Sequence, residues 1–229
     1  TNGFAHKVPG YVAITVSLKA IGAAPGDATS EQMRALADLA DAYSLGELRV
    51  THLQNIVLPY VKKDDVPALY AELKKHELGT ANVGLITDIV ACPGMDYCAL
   101  ATARSIPIAQ DIAKRFADPD RQQIIGELGI KISGCINACG HHHIGHIGIL
   151  GLEKSGEESY QITLGGDATE NAAIGERLGP GVTGDDVPDT IERIVDIYLA
   201  ERQKGERFID TYRRVGIDRF RGAFHATDA

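Results

Sequence analysis

The pattern of apolar and polar residues divides the chain into two stretches of different character. Over residues 1–79 the predicted order of elements is strand, helix, strand, strand, helix. The first strand covers Tyr11–Leu18, where β-branched and small residues alternate. Thr29 then offers a helix N-cap, and Gln32 occupies the capping-box position three residues later. Apolar residues at helical spacing predict one buried face for that helix: Met33, Leu36, Ala37, Ala40 and Tyr43.

The remainder of the first stretch predicts two strands and a second helix. The strands are expected over Gly46–Thr51 and Asn55–Leu58. Asp64 and Asp65, with Pro67 just inside, predict a helix start, because proline suits the first turn of a helix. Three apolar residues would form the inner face of this helix: Leu69, Tyr70 and Leu73.

Residues 80–229 predict a second unit in which strands and helices are mixed. We expect an alanine-rich helix to begin at Cys98 and to be interrupted by Pro107, which starts a further helix. One side of that further helix is apolar: Ile108, Ile112 and Phe116. Strands are predicted over Ile130–Ser133, His146–Leu152 and Ser159–Leu164, and amphipathic helices over Val187–Arg202 and Glu206–Val215. The acidic pair Glu157 and Glu158 is expected on the solvated surface.

Length and charge limit the possible functions. The chain of 229 residues carries a net charge of −8, and no apolar run reaches membrane-spanning length. A negative chain argues against nucleic acid as the main partner, because phosphate binding needs a cationic face. Nothing at the start resembles a secretion signal, so the four thiols predict a reducing cytoplasm. A first residue of threonine rather than methionine predicts a fragment or a processed product.

The four cysteines form two closely spaced pairs, and the chain has no others. Cys92 and Cys98 make a C-x5-C pair, and Cys135 and Cys139 make a C-x3-C pair. Four thiolates match a [4Fe–4S] cluster, which takes one thiolate at each iron. Four-cysteine zinc sites favour C-x2-C spacing, and disulfides favour small secreted proteins. The pattern therefore favours a cluster, with zinc, disulfides and unrelated buried cysteines as open alternatives.

Glycines accompany both cysteine pairs. Gly94, Gly134 and Gly140 would let the backbone approach closely and point amide N–H groups at sulfur. Hydrogen bonds of that kind tune the reduction potential of a metal site. Each of these glycines is equally compatible with a plain tight turn.

The segment Gly134–Gly140 reads Gly-Cys-Ile-Asn-Ala-Cys-Gly and follows the C-x5-C pair. This arrangement resembles the C-terminal half of the siroheme-dependent sulfite and nitrite reductases, which carry both pairs with the same spacing. Three further segments are similar to that family: Thr87–Gly94, Ile147–Gly151 and, upstream, Leu48–Asn55 with its Arg-x-Thr and Gln-Asn elements. The likeness runs from about Pro9 to about Tyr212, which is nearly the whole chain.

The resemblance implies an α+β fold, with a ferredoxin-like half-domain over residues 1–79 and an α/β siroheme and 4Fe-4S binding domain over residues 80–229. It implies that all four cysteines (Cys92, Cys98, Cys135 and Cys139) hold the cluster, and that Cys139 bridges the cluster to the siroheme iron. Siroheme contacts are expected from four other residues: Asn137, Arg49, Gln54 and Asn55. The catalytic residues are unknown, and most are expected in the N-terminal half of the family's enzymes.

The activity implied by the resemblance is six-electron reduction of sulfite to sulfide or of nitrite to ammonia. Electrons would come from ferredoxin or a flavoprotein donor. Near the motifs the chain offers few cations for the siroheme carboxylates: Arg49, His52, Arg104 and Lys131. We therefore expect the N-terminal half of the same enzyme as a partner and no catalysis without it. The alternatives are a structural zinc-binding module with four cysteine ligands and a haem-free iron–sulfur electron carrier.

Four histidines follow the second cysteine pair closely: His141, His142, His143 and His146. They are compatible with metal binding or proton delivery, with packing beneath the haem edge, or with a polar loop. Direct metal ligation is disfavoured, because the cysteines already complete a ligand set for a cluster.

Overall fold

The computed structural model describes residues 2–223 and divides the chain into two compact units between Val83 and Gly84. The elements of the first unit are, in chain order, β1 (Gly3–Ala5), β2 (Tyr11–Val16), α1 (Ser30–Tyr43), β3 (Arg49–Val50), β4 (Ile56–Lys62) and α2 (Val66–Lys75). A short 3-10 turn over Lys63–Asp65 leads into α2.

The four strands of the first unit form one antiparallel sheet in the order β1-β2-β4-β3. The predicted strand, helix, strand, strand, helix order is present, and the short edge strand β1 precedes it. Strand β1 has only three residues, too few for an alternation pattern. The carboxamide of Asn2 donates to the carbonyl oxygen of Thr15 (3.0 Å), which holds this edge strand in place.

Helix α1 begins as predicted, but its buried face differs from the predicted one. The Thr29 hydroxyl accepts from the Gln32 N–H (3.1 Å), and the Gln32 side chain accepts from the Thr29 N–H (3.0 Å). The buried residues are Ala35, Leu36, Leu39 and Ala40, whereas the predicted Met33 and Ala37 are exposed. Small and apolar residues cover more than one stripe of this helix, so its angle on the sheet decides which stripe is buried.

Helix α2 buries two of its three predicted inner residues. Leu69 and Leu73 lie in the core of the first unit. Tyr70 was predicted beside them and is exposed, with the ammonium of Lys74 4.9 Å from its ring centroid. A tyrosine beside an apolar stripe can keep its hydroxyl in water at little cost in free energy. Helical spacing alone therefore did not predict whether this side chain is buried.

A register shift between Val12 and Ile14 interrupts the pairing of β2 with β4. On the β4 side, Pro59 has no N–H to donate to the neighbouring strand. The next N–H, that of Tyr60, donates to the hydroxyl of Ser44 (3.1 Å), which is fully buried at the end of α1. A backbone N–H of this irregular strand therefore finds its hydrogen-bond partner in a side chain.

The second unit contains a five-stranded sheet and several helices. Its elements are β5 (Val90–Ala91), α3 (Ile106–Arg115), α4 (Pro119–Ile125), β6 (Ile130–Ser133), β7 (Ile147–Lys154), β8 (Glu157–Leu164), β9 (Glu176–Arg177), α5 (Val187–Glu201), α6 (Phe208–Val215) and α7 (Ile217–Phe220). The predictions for β6, β7, β8, α5 and α6 are confirmed within a few residues at each end. Helices α4 and α7 were not predicted; both are short.

The sheet of the second unit runs in the order β5-β6-β7-β8-β9. Strands β5, β6 and β7 are parallel, and β7, β8 and β9 are antiparallel. Every residue of β6 is buried. Ile130 and Ile132 belong to the hydrophobic core, whereas Ser133 accepts a hydrogen bond from the Gly140 N–H (3.1 Å) in the loop after β6. Strand β6, which lies between β5 and β7, is therefore covered on both faces.

The alanine-rich helix predicted from Cys98 does not form. The chain turns at this point, and helix α3 begins only at Ile106. The N–H groups of Thr102 and Ala103 both donate to the carbonyl oxygen of Gly134 (3.0 Å each) instead of to carbonyls one helical turn earlier. These bonds to a distant loop replace the helical ones, which overrides the helix propensity of alanine.

Across residues 2–223, none of the helices combines the length and the apolar character that crossing a bilayer requires.

Candidate metal centre

Both cysteine pairs lie at the carboxyl ends of two neighbouring parallel strands. Strand β5 pairs with β6 so that Ala91 lies opposite Ile132. Cys92 follows β5 directly and donates its N–H to the carbonyl oxygen of Ile132 (3.1 Å). Cys135 lies two residues beyond the end of β6. Parallel pairing therefore brings two loops that are distant in sequence to one end of the sheet, where α/β folds commonly bind ligands.

The two loops are interlocked through glycines. The Gly134 N–H donates to the sulfur atom of Cys92 (3.1 Å). A Cβ atom added at Gly134 would lie 2.5 Å from the carbonyl oxygen of Ala103 and 2.9 Å from the Cα atom of Gly94. Only a glycine permits this approach, so the predicted need for close backbone contact is met at Gly134.

The second loop uses left-handed backbone conformations around Cys139. Ala138 has a φ of 57° and His141 a φ of 53°, both unusual for residues with a side chain. Between them, an added Cβ at Gly140 would overlap the carbonyl oxygen of Ile132. The loop therefore folds back tightly onto β6, and the predicted close approach is present at Gly140 as well.

The four cysteines differ in exposure. All four fall within the described residues and are free thiols. Cys92 and Cys135 are buried, Cys98 is half-buried and Cys139 is exposed. All four candidate ligands are thus thiols, and their exposure to solvent increases from the buried Cys92 to the exposed Cys139. Asn137, which precedes Cys139 by two residues, is also exposed.

The chemistry of the donor set suits a cluster that is held by thiolates. Among residues 2–223, no three or more His, Cys, Asp or Glu side chains are grouped closely enough to hold one ion. A single zinc ion needs its thiolates within about 2.3 Å of itself. A [4Fe–4S] cube instead binds each thiolate at a different iron, which separates the sulfur atoms more widely. Four thiols, together with a glycine amide aimed at one of the sulfur atoms, suit that larger group.

Ser105 contacts the first cysteine and was not identified from the sequence. Its hydroxyl donates to the carbonyl oxygen of Cys92 (2.7 Å) and lies 3.4 Å from the Cys92 sulfur. Ser105 is fully buried at the start of α3. Ser105 lies 13 residues from Cys92 and outside both cysteine motifs, so no spacing rule would have found it.

Of the acidic pair predicted on the solvated surface, Glu157 is exposed as predicted, whereas Glu158 is half-buried and bound to the segment after Cys98. Its carboxylate accepts from the backbone N–H of Arg104 (2.9 Å), from the Arg104 guanidinium (2.9 Å) and from the Tyr160 hydroxyl (2.6 Å). Burial alone would raise the pKa of Glu158, but the hydrogen bonds from Tyr160 and Arg104 hold that pKa below its usual range. Arg104 also lies 3.7 Å from Asp96, inside the first cysteine pair. This network ties the first loop to β8.

Of the four histidines after Cys139, His142 is buried, His143 and His146 are half-buried, and His141 is exposed. His142 is buried, its ring meets that of His143 edge to face (centroids 5.1 Å apart), and its Nδ1 has no hydrogen-bond partner among the described residues. Burial, and then the neighbouring His143, lower the pKa of His142 to about 4. His146 accepts from the Gly129 N–H (3.1 Å), and burial lowers its pKa. Both rings are therefore neutral near pH 7, and the proposed packing beneath a haem edge stays a prediction.

Acid should destabilise the cofactor-free protein through these histidines. Because their pKa values are lowered in the folded state, the unfolded chain takes up protons first once the pH falls below about 6.5. Stability is complete above that pH and is lost progressively toward pH 4. We expect a loss of about 2 kcal/mol from His142 between about pH 7 and about pH 5, measured by urea unfolding.

The matched variants for this experiment are His142→Gln and His76→Gln, since His76 is exposed. The first should flatten the pH dependence of stability, and the second should leave it unchanged. Equal slopes for wild type and His142→Gln would contradict the assignment.

The remaining predicted site residues belong to the first unit. Arg49 is exposed and is held by Glu47 (2.6 Å) and by the Tyr60 hydroxyl (3.0 Å); Glu47 is the main cause of a raised pKa for Arg49. Asn55 is buried, and its side-chain oxygen accepts from the Leu18 N–H (3.2 Å). Gln54 adopts a left-handed conformation with a φ of 57°. Asn55 therefore supports the fold locally, and the siroheme roles of these residues stay predictions.

Known protein families match both units. The family model described as the nitrite/sulfite reductase ferredoxin-like half domain matches residues 5–76. The family model described as the nitrite and sulphite reductase 4Fe-4S domain matches residues 84–227. These matches confirm the predicted α+β fold class and the predicted 4Fe-4S cofactor.

Individual relatives are longer than this chain. A ferredoxin–nitrite reductase of Synechococcus elongatus is 32% identical over 74% of the chain and 34% of its own length. Sulfite reductase [ferredoxin] 2 of Mycolicibacterium paratuberculosis is 30% identical over 89% of the chain and 39% of its own length. The solved structure of the Mycobacterium tuberculosis NirA protein superposes with a TM-score of 0.74 at 27% identity, over 93% of this chain and 40% of that one. The chain thus spans well under half the length of these relatives.

Proposed function

The chain belongs to the nitrite and sulfite reductase family, and we propose that it is the part of such a reductase that carries the [4Fe–4S] cluster. One observation carries this proposal: the loops of both cysteine pairs interlock at the ends of β5 and β6, with the Gly134 amide aimed at the Cys92 sulfur. The alternative of a zinc module has no such support, since the matching family model describes a 4Fe-4S domain.

The proposed cluster ligands are Cys92, Cys98, Cys135 and Cys139. The buried thiolates of Cys92 and Cys135 would hold the inner side of the group, where the Gly134 amide lies close to sulfur. Cys139 is the most exposed of the four cysteines, which supports its proposed bridge to a siroheme iron. When bound, the cluster supplies electrons singly and siroheme supplies an iron that binds the substrate.

Asn137, Arg49 and Gln54 are the proposed siroheme contacts of this chain. Asn137 and Arg49 are exposed, and the guanidinium suits a carboxylate of the macrocycle. Asn55 is proposed to join them, and its buried side chain also accepts from the Leu18 N–H.

The whole enzyme would reduce nitrite to ammonia or sulfite to sulfide with six electrons from ferredoxin or a flavoprotein. Relatives of both substrate classes match at similar identity, 32% and 30%, so the proposal covers both. The additional length of these relatives would supply further cations for siroheme and substrate, since this chain carries a net charge of −8. We propose the N-terminal half of the same enzyme as the partner of this chain. A cytoplasmic location is supported by the four free thiols, because disulfides are rare in the reducing cytoplasm.

Anaerobic reconstitution tests the proposal. The chain, supplied with iron and sulfide, should bind about four iron and four inorganic sulfide atoms and should give a paramagnetic signal on reduction. Addition of the N-terminal half should then allow siroheme to bind. Stoichiometric zinc without sulfide would refute the cluster, and a stable cluster with no siroheme binding by the combined halves would identify a haem-free electron carrier instead.

A further inference from the structure

We propose that Ser105 is a positioning residue for the Cys92 thiolate, and that its hydroxyl stabilises the reduced state of the metal site. The proposal rests on the proposed function, since it concerns a ligand of the proposed cluster. It adds a residue that lies outside both cysteine motifs.

The first argument is the direction of the Ser105 hydroxyl. Ser105 is the N-cap of α3, where a serine side chain ordinarily accepts from the N–H of the second or third helical residue. Pro107, the second residue, has no N–H, and among the described residues the Ser105 side chain makes no cap hydrogen bond at all. Its hydroxyl instead faces Cys92, 2.7 Å from the carbonyl oxygen and 3.4 Å from the sulfur. A helix cap is therefore given up for a contact with a proposed ligand.

The second argument is that this hydroxyl is held in place. Gly94 has a φ of 60°, and a Cβ atom added there would overlap the Ser105 oxygen and lie 2.6 Å from the Ser105 nitrogen. The loop of the first cysteine pair thus packs directly on Ser105. Because Ser105 is fully buried, its hydroxyl cannot form hydrogen bonds with bulk water.

The third argument is chemical. A hydroxyl has one hydrogen, and here two acceptors on Cys92 compete for it. Hydrogen bonds to a charged acceptor are stronger than those to a neutral carbonyl. Uptake of one electron by the metal site adds one negative charge, part of which falls on the Cys92 sulfur. Donation from Ser105 to that sulfur, beside the fixed Gly134 N–H at 3.1 Å, therefore favours the reduced state.

The test is a redox titration of the reconstituted chain, followed by its visible and paramagnetic signals. Ser105→Ala should keep its iron and should show a lower reduction potential. At a fixed solution potential, we expect about a tenfold lower ratio of reduced to oxidised site, equivalent to 59 mV for one electron. Ser105→Thr keeps the hydroxyl and should restore the wild-type value.

The matched control is Ser44→Ala, which removes an equally buried hydroxyl in the first unit, where it accepts from the Tyr60 N–H. Its potential should equal that of wild type. An unchanged potential in Ser105→Ala with full iron, or an equal shift in Ser44→Ala, overturns the role of Ser105 and leaves the proposed function standing. Iron loss in Ser105→Ala with retention in Ser105→Thr supports the positioning role. Failure of the wild-type chain itself to bind iron counts against the proposed function.

Discussion

A Gly140→Ala variant should bind no cluster and should lose about 3 kcal/mol of folding stability in its second unit. The added methyl group would overlap the carbonyl oxygen of Ile132, a backbone atom of the buried strand β6. Backbone of a buried strand cannot move aside as a flexible side chain can. The loop carrying Cys135 and Cys139 must therefore shift, and its thiolates leave the site. Urea unfolding and iron analysis after reconstitution measure the two effects.

Gly129→Ala is the matched control for this prediction. An added Cβ at Gly129 has no atom within 4 Å, and the residue lies in the same unit just before β6. We expect a stability change within about 0.5 kcal/mol and wild-type iron content. If Gly140→Ala also folds and binds iron like wild type, the close packing of the loop of Cys135 and Cys139 against β6 is not required for the site.

Replacement of any one of the four cysteines by serine should remove most of the bound iron. Serine has nearly the shape of cysteine, but its hydroxyl keeps its proton near pH 7, whereas a thiol yields its proton to a metal. The effect should be equal for the buried Cys92 and the exposed Cys139, because a cube needs a ligand at every iron. Iron and sulfide analysis of the four reconstituted variants, with the visible spectrum, measures this loss.

Two comparisons separate loss of a ligand from loss of the fold. Cys139→Ser in the cofactor-free chain should change stability by less than about 0.5 kcal/mol, because the residue is exposed. Ile136→Ser changes an exposed residue of the same loop and should keep the iron. Wild-type iron content in any single cysteine variant would show that the corresponding sulfur is not a ligand.

Elements that depend on neighbouring residues were predictable. The capping box of Thr29 and Gln32 lies within four consecutive residues, so it acts wherever the helix packs. Strands β6 to β8 were found because apolar residues recur along each of them, at alternate positions in β6 and β8. Turn, cap and strand signals of this kind depend on backbone chemistry over short distances, which the amino-acid order specifies directly.

Packing partners were the source of the errors. Met33, Ala37 and Tyr70 have helical spacing but lie outside the core, because the angle of each helix on the sheet is a property of both elements. The alanine-rich stretch after Cys98 forms turns, since the carbonyl oxygen of Gly134 binds two of its N–H groups. Glu158 looked like a surface residue until β8 brought it to Arg104.

The kind of chemistry available to this protein was decided by the order of its residues alone: four thiols in two pairs, with glycines beside them. Ligand type and local loop size are properties of short segments, so they are readable without a fold. Only the tertiary structure decided that the loops of Cys92 and Cys135 interlock, that Gly134 donates to sulfur and that Ser105 faces the same atom. These relations depend on the parallel pairing of β5 with β6, which joins segments far apart in the chain (Val90 with Lys131), and pairing over such a distance is set by the packing of the whole unit.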